Sequence, residues 1–525
     1  MKNNLIIIVS AALIVSVGCK KKLDVPNPNT PTTENFWKTA SDAQLGVNTL
    51  YSTFHRPGLC RNQFFIDIIR SDEGYSTSPN PALINNFDRF IVTDYNLWEM
   101  RSLWQDCYIG INRANQILDN VPNISMDETQ KQQFLGEAKF MRALFYYYLA
   151  QYWGNVPLQL HTSYPNDQPP TSLQADVWAQ VEKDLTEAAP QLPVSYNADN
   201  IGRATRGAAY GLLGKAYMQE HKYQEAADAL KWFFEGEGST VYDLMPNYRD
   251  NFIITAENNK ESVFEFQNAL NPTDTHDDDT DPNGQDNLNY GTSIPPFFAP
   301  RPIGFTDGQA RRWVVWEFLK EKTVSGERDP RLAASFLYDS TDARGPEFTL
   351  VYDPNGTLHR TWASLGYSTD PTSGPPQFND VYFRKFLNDY TDEGESFHSG
   401  NNYRFLRFSD ILLLYAEALN ELGSTGEAYE YVDRVRERAG LASLSQVMPG
   451  LSQGAFRLQL KHERVTELSG EGHRWEDLYR WGDLGPQLAS RDAGFANFVV
   501  GKNEFLPIPQ QDLDINPNLE QNPGW

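Results

Sequence analysis

The sequence predicts a mostly α protein, a scaffold of paired helices interrupted by long irregular loop insertions. Three observations carry that expectation. Apolar residues recur at helical spacing over long stretches, two well-separated segments carry the small-residue pattern of tight helical hairpins, and Pro, Gly, Asp and aromatic residues concentrate in blocks between them. With 525 residues, 40% hydrophobic and 13% aromatic, the chain can bury a large core in one domain or two closely packed ones.

The chain opens with basic Lys2, an apolar run from Leu5 to Val17, then Gly18 and Cys19. The run falls short of the ~18 to 20 residues needed to cross a bilayer as a helix, so residues 1–18 are expected to be a secretory signal that is removed. A small residue directly before a cysteine is what lipoprotein signal peptidase requires, and Cys19 supplies the thiol for diacylglycerol. Ser16 stands where leucine is more usual. The KKKLDVPNPNTP that follows suits a lipidated tether over residues 19–33. Lys20, in place of an aspartate that would favour retention in the inner membrane, favours the outer one.

Helices follow. GEAKFMRALFYYYLAQYW places Ala138, Met141, Phe145, Tyr148 and Leu149 at helical spacing, and Gly154, Asn155 and Pro157 stop it. RATRGAAYGLLGKAYMQEHKYQEAADALKWFF reads as a tetratricopeptide-like hairpin, with Tyr210, Leu213, Gly214 and Tyr217 on its first helix and Ala226 and Leu230 on its second. A second unit, FSDILLLYAEALNELGSTGEAYEYVDRVRERAGL, sets Leu412, Ala416, Leu419, Ala428 and Val432 in equivalent places, its helices joined through Gly423 and Gly426. The two units lie about two hundred residues apart in the chain, which predicts an interrupted scaffold and no continuous solenoid.

Between them, from Asn268 to Phe383, runs an irregular excursion with helical islands such as ARRWVVWEFLKEK; a shorter one spans Asp72 to Trp98. Long insertions on a rigid frame are where binding surfaces sit. The run THDDDTDPNG holds Asp279, Asp281, Asn283 and Gly284 at the spacing that opens a calcium loop, but its twelfth position is Tyr290 where a bidentate glutamate is needed, so a solvated acidic loop is the preferred reading. HERVTELSGEGHRW sets Glu463, Glu467 and Glu471 on one helical face near His462 and His473. A zinc protease helix needs histidines four apart, and position 466 is Thr. A charge network is expected instead, Arg464, Arg474 and Arg480 pairing these carboxylates and clamping the C-terminal segment.

The formal charge of -24, from 69 acidic and 45 basic residues, repels phosphate backbones and argues against nucleic acid as a partner. Beyond Cys19 only Cys60 and Cys107 remain, enough for one disulfide or none and wrongly spaced for zinc. No cofactor motif and no metal centre are read from the sequence.

Several segments in order resemble the SusD/RagB family of Bacteroidetes nutrient-uptake lipoproteins. They are CKKKLDVPNP, FWKTASDAQLGVNTLY, LWQDCYIGINRANQILDNVP, GEAKFMRALFYYYLAQYWGNVPL, RATRGAAYGLLGKAYM, ERDPRL, YRFLRFSDILLLYAEALNE, HERVTELSGEGHRWEDLYRWG and FLPIPQQDLDINPNLEQNPGW. The resemblance spans Cys19 to Trp525. It implies a SusD-like α-α superhelix with four tetratricopeptide-like helix pairs, an N-terminal SusD-like helical region over residues 34–230, and a C-terminal RagB/SusD region with ligand-side loops over residues 231–525. It further implies a lipoprotein anchored at the outer membrane facing the cell exterior, non-catalytic capture of oligosaccharide or peptide, and a SusC-like TonB-dependent transporter as partner. Acidic residues usual after the lipidated cysteine are replaced here by Lys20, Lys21 and Lys22.

Sugar rings pack their C–H faces on aromatic rings and bond their hydroxyls to amides and carboxylates. The candidate ligand residues are therefore Tyr75, Tyr95, Asn96 and Trp98 in the first excursion, where the family's platform draws an aromatic, and Tyr290, Phe297, Phe298 and Trp313 in the second, which matches the family's variable ligand-side loop. Trp316 and Phe318 are expected in the core. Two alternatives stand beside oligosaccharide capture. One is a peptide ligand, which the concave face of helical hairpins could also hold. The other is a glycoside hydrolase, for which no nucleophile elbow, H-E-x-x-H or Gly-rich phosphate loop is present.

Overall fold

The computed structural model describes residues 36–76, 84–270, 290–299, 304–305, 307–338, 381–388 and 399–525. The signal segment, Cys19, the tether, and Asp279, Asp281 and Asn283 lie outside them. Among the described residues no helix is long and apolar enough to cross a membrane.

Helices dominate. In chain order they begin with α1 (Ala40–Tyr51), α2 (Gln63–Arg70), α3 (Trp98–Asn120), α4 (Glu128–Tyr152), α5 (Gln174–Ala188), α6 (Arg206–Gln219) and α7 (Tyr223–Leu230). Asp127 starts α4 by accepting a hydrogen bond from the N–H of Gln130 at 2.9 Å. Its Ala138, Met141, Phe145, Tyr148 and Leu149 are all buried, and Gly154, at φ 69°, ends the run. A helix apolar all round must be covered all round, and α4 packs between α3 and α5. At Gly110 of α3 a Cβ would collide with Phe145 of α4, so a glycine there sets how closely the two helices approach.

The second half supplies α8 (Arg312–Phe318), α9 (Pro330–Ser335), α10 (Phe408–Glu421), α11 (Thr425–Arg438), α12 (Gln453–Leu468), α13 (Arg474–Arg480) and α14 (Gln510–Ile515). Both predicted hairpins form, α6 with α7 and α10 with α11. Gly423 turns the second at φ 86°, while Gly426 is already the second residue of α11. In space, however, the scaffold is not interrupted. α7 packs directly on α10, so the stack runs α3, α4, α5, α6, α7, α10, α11, with α12 laid against α10. The excursion leaves the stack and returns to the same place. One contiguous core contains Leu213, Leu230, Leu412 and Phe456.

Strands are short and antiparallel: β1 (Gly74–Tyr75), β2 (Val156–Pro157), β3 (Thr171–Ser172), β4 (Ser262–Phe266), β5 (Gln309–Ala310), β6 (Phe336–Tyr338), β7 (Val381–Phe383) and β8 (Tyr403–Arg407). β4 pairs with β8 across a bulge. The other long-range sheet has the order β1-β5-β7-β6, which ties the first excursion to the second.

The predicted charge network exists, with different partners. Glu463 pairs with Arg436. Glu467 lies 3.2 Å from both Arg331 and Arg407 and also pairs with Arg438, and Glu471 lies 2.6 Å from both Arg407 and Lys385. Arg464 bonds Asp410 and Asp477 at 2.8 Å, Arg474 bonds Asp72 at 2.6 Å, and Arg480 bonds Glu417 at 2.8 Å. The correction has a geometric cause. Glu463 and Glu467 point from α12 at neighbouring elements and Glu471 lies in the turn beyond its end, so their counter-ions come from β8, α9, α11 and Lys385 and not from the same stretch of sequence. Burial pushes Glu467 upward, but Arg438, Arg407 and Arg331 outweigh it and hold the carboxyl well below its usual range. His473 is buried 2.8 Å from the Lys215 ammonium. Burial and that cation push its pKa well down, which leaves a neutral imidazole whose Nδ1 accepts a hydrogen bond from the lysine ammonium.

The C-terminal segment packs back on the helices, held by other groups. Leu506 donates to the carbonyl of Tyr152 at 2.7 Å, Trp153 Nε1 donates to Pro507 at 2.9 Å, and Asn522 bridges the carbonyls of Trp153 and Leu506 at 2.8 and 2.7 Å. Arg70 reaches the carbonyl of Asn503 at 3.1 Å.

Candidate functional site

The two excursions meet where β1 pairs with β5, Gly74 opposite Ala310 and Tyr75 opposite Gln309. The N–H of Arg311 donates to the carbonyl of Glu73 at 2.7 Å, and the indole N–H of Trp313 donates to the carbonyl of Asp72. This junction brings Tyr75 and Trp313, both half-buried, into one neighbourhood. Guanidinium groups lie over both rings, Arg311 at 4.1 Å from the centre of Tyr75 and Arg491 at 4.3 Å from that of Trp313. Arg474, fixed by Asp72, adds a second cation 5.2 Å from the Trp313 ring.

Arg311 is itself held by two carboxylates, Asp88 at 2.7 Å and Asp492 at 2.8 Å. Burial, then the neighbouring Asp492 charge, push Asp88 up to about 8 against the pull of Arg311, and Asp492 is raised as well, first by burial. Both carboxyls are thus biased toward their protonated forms. Burial also raises Glu73 to about 7. Phe90, at φ 52°, enters the left-handed region that bulky residues avoid. It is held there by Phe495 and Phe498, with ring centres 4.7 and 5.0 Å away.

The remaining candidates lie elsewhere. Tyr95, Asn96 and Trp98 are half-buried beside the C-terminal segment. Tyr95 meets Trp525 edge-on at 5.9 Å, Asn96 accepts from the N–H of Gln511 at 3.0 Å, and Arg101 lies 5.7 Å from the Trp98 ring. Tyr290 is half exposed beside His55, 6.0 Å between ring centres. Phe297 and Phe298 are buried. Phe297 packs on Phe65 at 5.1 Å, and Phe298 on Phe64 at 5.0 Å and Phe65 at 4.9 Å, so they build the floor under the second excursion and offer no open face.

Phe318 is buried as expected, but Trp316 is 56% exposed. On α8 the buried residues are Val314, Val315 and Phe318, and Trp316 falls roughly 200° around the helix from Val314. Sequence reasoning also passed over Tyr164, 69% exposed beside Gln159, His161, Asp167 and Gln168, because it belongs to neither excursion. Cys60 and Cys107 are both buried and are not joined to each other by a disulfide.

A stacked helical frame carrying a loop-built face of aromatics, guanidinium groups and amides is the architecture of a binding protein. A profile described as the SusD family matches residues 260–525, and one described as starch-binding associating with outer membrane matches residues 72–218. The chain belongs to the SusD family. It is 26% identical to SusD-like protein P25 of Formosa agariphila over 98% of this chain and 97% of that one. Among solved structures it matches a SusD superfamily protein from Bacteroides vulgatus with a TM-score of 0.78, 26% identical, over 93% of this chain and all of the other. A laminarin binding SusD-like protein matches with a TM-score of 0.72, 28% identical, with the same coverage.

Proposed function

We propose that this protein captures oligosaccharide at the cell surface without cleaving it and passes it to a TonB-dependent transporter, tethered to the outer membrane through lipidated Cys19. The observation that carries the reading is the β1–β5 junction, which brings half-buried Tyr75 and Trp313 together with Arg311 and Arg491 over their rings. Tyr95, Asn96, Trp98 and Tyr290 extend the receptive surface, while Phe297 and Phe298 support it. The laminarin binding relative and the starch-binding profile favour a glycan over a peptide.

The carboxylate pair on Arg311 favours binding over hydrolysis. Asp88 and Asp492 share one guanidinium, whereas glycoside hydrolysis needs two carboxyl groups held about 5 to 10 Å apart across the scissile bond.

Affinity electrophoresis of the mature chain lacking Cys19, through gels loaded with a panel of polysaccharides, tests the proposal. Retardation by one glycan with no product released is expected. Trp313→Ala should weaken it about ten-fold, ~1.4 kcal/mol. Capture that survives Trp313→Ala and Trp98→Ala but is abolished by changes on α11 would refute this placement. Retardation by no glycan would shift the ligand to peptide.

A further inference from the structure

His462 stands on α12 with its Nδ1 2.7 Å from Oε1 of Glu317 on α8. When Nδ1 donates to that carboxylate, Nε2 is left with a free lone pair, the second-shell arrangement that orients metal-binding histidines. Nε2 faces Glu321, whose Oε1 lies 3.8 Å away. Two acceptors opposed at that distance call for a cation between them or a second proton on the ring.

Glu463, the next residue of α12, completes the set. One ligand atom from each of Glu321, His462 and Glu463 lies within 4.8 Å of the others. Both carboxylates commit one oxygen to Arg436, at 2.7 Å for Glu321. Arg436 thereby orients them as an outer-shell partner. Glu463 is fully buried, and its Oε2 makes no hydrogen bond among the described residues. Arg331 stands 3.9 Å from that oxygen, its guanidinium already bonded to Asp329 and Glu467.

We propose that Glu321, His462 and Glu463 bind one zinc ion. One imidazole nitrogen, two carboxylate oxygens and an outer carboxylate on the imidazole form a zinc-type donor set, whereas calcium takes six to eight oxygens. The His462 side chain is 11% exposed, which gives the ion a path in and water the fourth position. The ion would staple the segment after α8, part of the second excursion, to α12 of the frame.

Zinc titration calorimetry on the chelator-treated, tag-free mature chain tests this, with a thermal melt of each sample. The wild type is expected to bind one zinc per chain at this site and melt higher with it. His462→Gln and Glu321→Gln should each lose that equivalent while keeping a cooperative melt as apo proteins. Zinc held equally by the wild type and both variants belongs to other surface histidines and overturns the proposal. So does a wild type that binds none while the His462 ring shows both nitrogens protonated by NMR, since an imidazolium would then bridge Glu317 and Glu321.

Discussion

The helical frame and the loop-built face handle buried charge in opposite ways. Around α12 nearly every carboxylate meets two or more cations: Glu467 pairs with Arg331, Arg407 and Arg438, and Arg407 in turn pairs with Glu261, Glu467 and Glu471. At the β1–β5 junction Asp72 also meets two cations, Arg474 and Arg491, but its neighbours divide theirs. Asp88 and Asp492 share Arg311, and burial raises the pKa of both. The frame is electrostatically saturated and therefore rigid. The face keeps groups whose charge can still change and rings still half exposed, which is what recognition of a polar ligand requires.

Three measurements break or sharpen that contrast. Arg407→Ala strikes the frame and leaves Glu261, Glu467 and Glu471 short of a buried cation, so unfolding in urea should show a loss of about 3 to 5 kcal/mol. Glycan retardation of the molecules that stay folded should not change. A wild-type stability would mean the network is ornamental and the contrast false.

Asn522→Ala strikes the seam between the frame and the C-terminal segment, since it removes the donor to the carbonyls of Trp153 and Leu506. A loss of about 2 kcal/mol is expected in the same assay, with faster proteolysis of the C-terminal segment.

The smallest effect belongs to the face itself. The folded pKa of Asp88 lies above its unfolded value, so the native state holds the extra proton. Its contribution is complete at low pH and is lost as pH rises through about 8. Between pH 7 and 9 the wild type should lose about 1 kcal/mol, read as a falling melting temperature, and Asp88→Asn should flatten that slope. A parallel slope in the variant would assign the titration elsewhere.

The frame was legible in the sequence wherever a helix is long and its small residues lie at fixed spacing. α4 and both hairpins stand where periodicity puts them, because burial of one face repeats every turn. The stacking of α7 on α10 was not legible, since nothing local in either segment records a partner nearly two hundred residues away. Strands of two or three residues, such as β1 and β5, are too short for alternation to register. The candidate aromatics failed in a different way. Composition marks a loop as aromatic but not which rings face outward, so Phe297 and Phe298 went to the floor while Trp316, placed in the core by its helix, faces out. The counter-ions of Glu463, Glu467 and Glu471 were sought nearby in sequence and came from β8, α9, α11 and Lys385.

The C-terminal segment has a consequence for the order of events in folding. Pro507 receives its hydrogen bond from Trp153, 354 residues earlier in the chain, and Asn522 returns to the same tryptophan. In a polypeptide delivered amino terminus first, α4 is made early and waits for its last cover. Until residues 503–525 arrive, the end of that helix lacks these partners. The end of α4 thus closes only once a partner made more than three hundred residues later is in place.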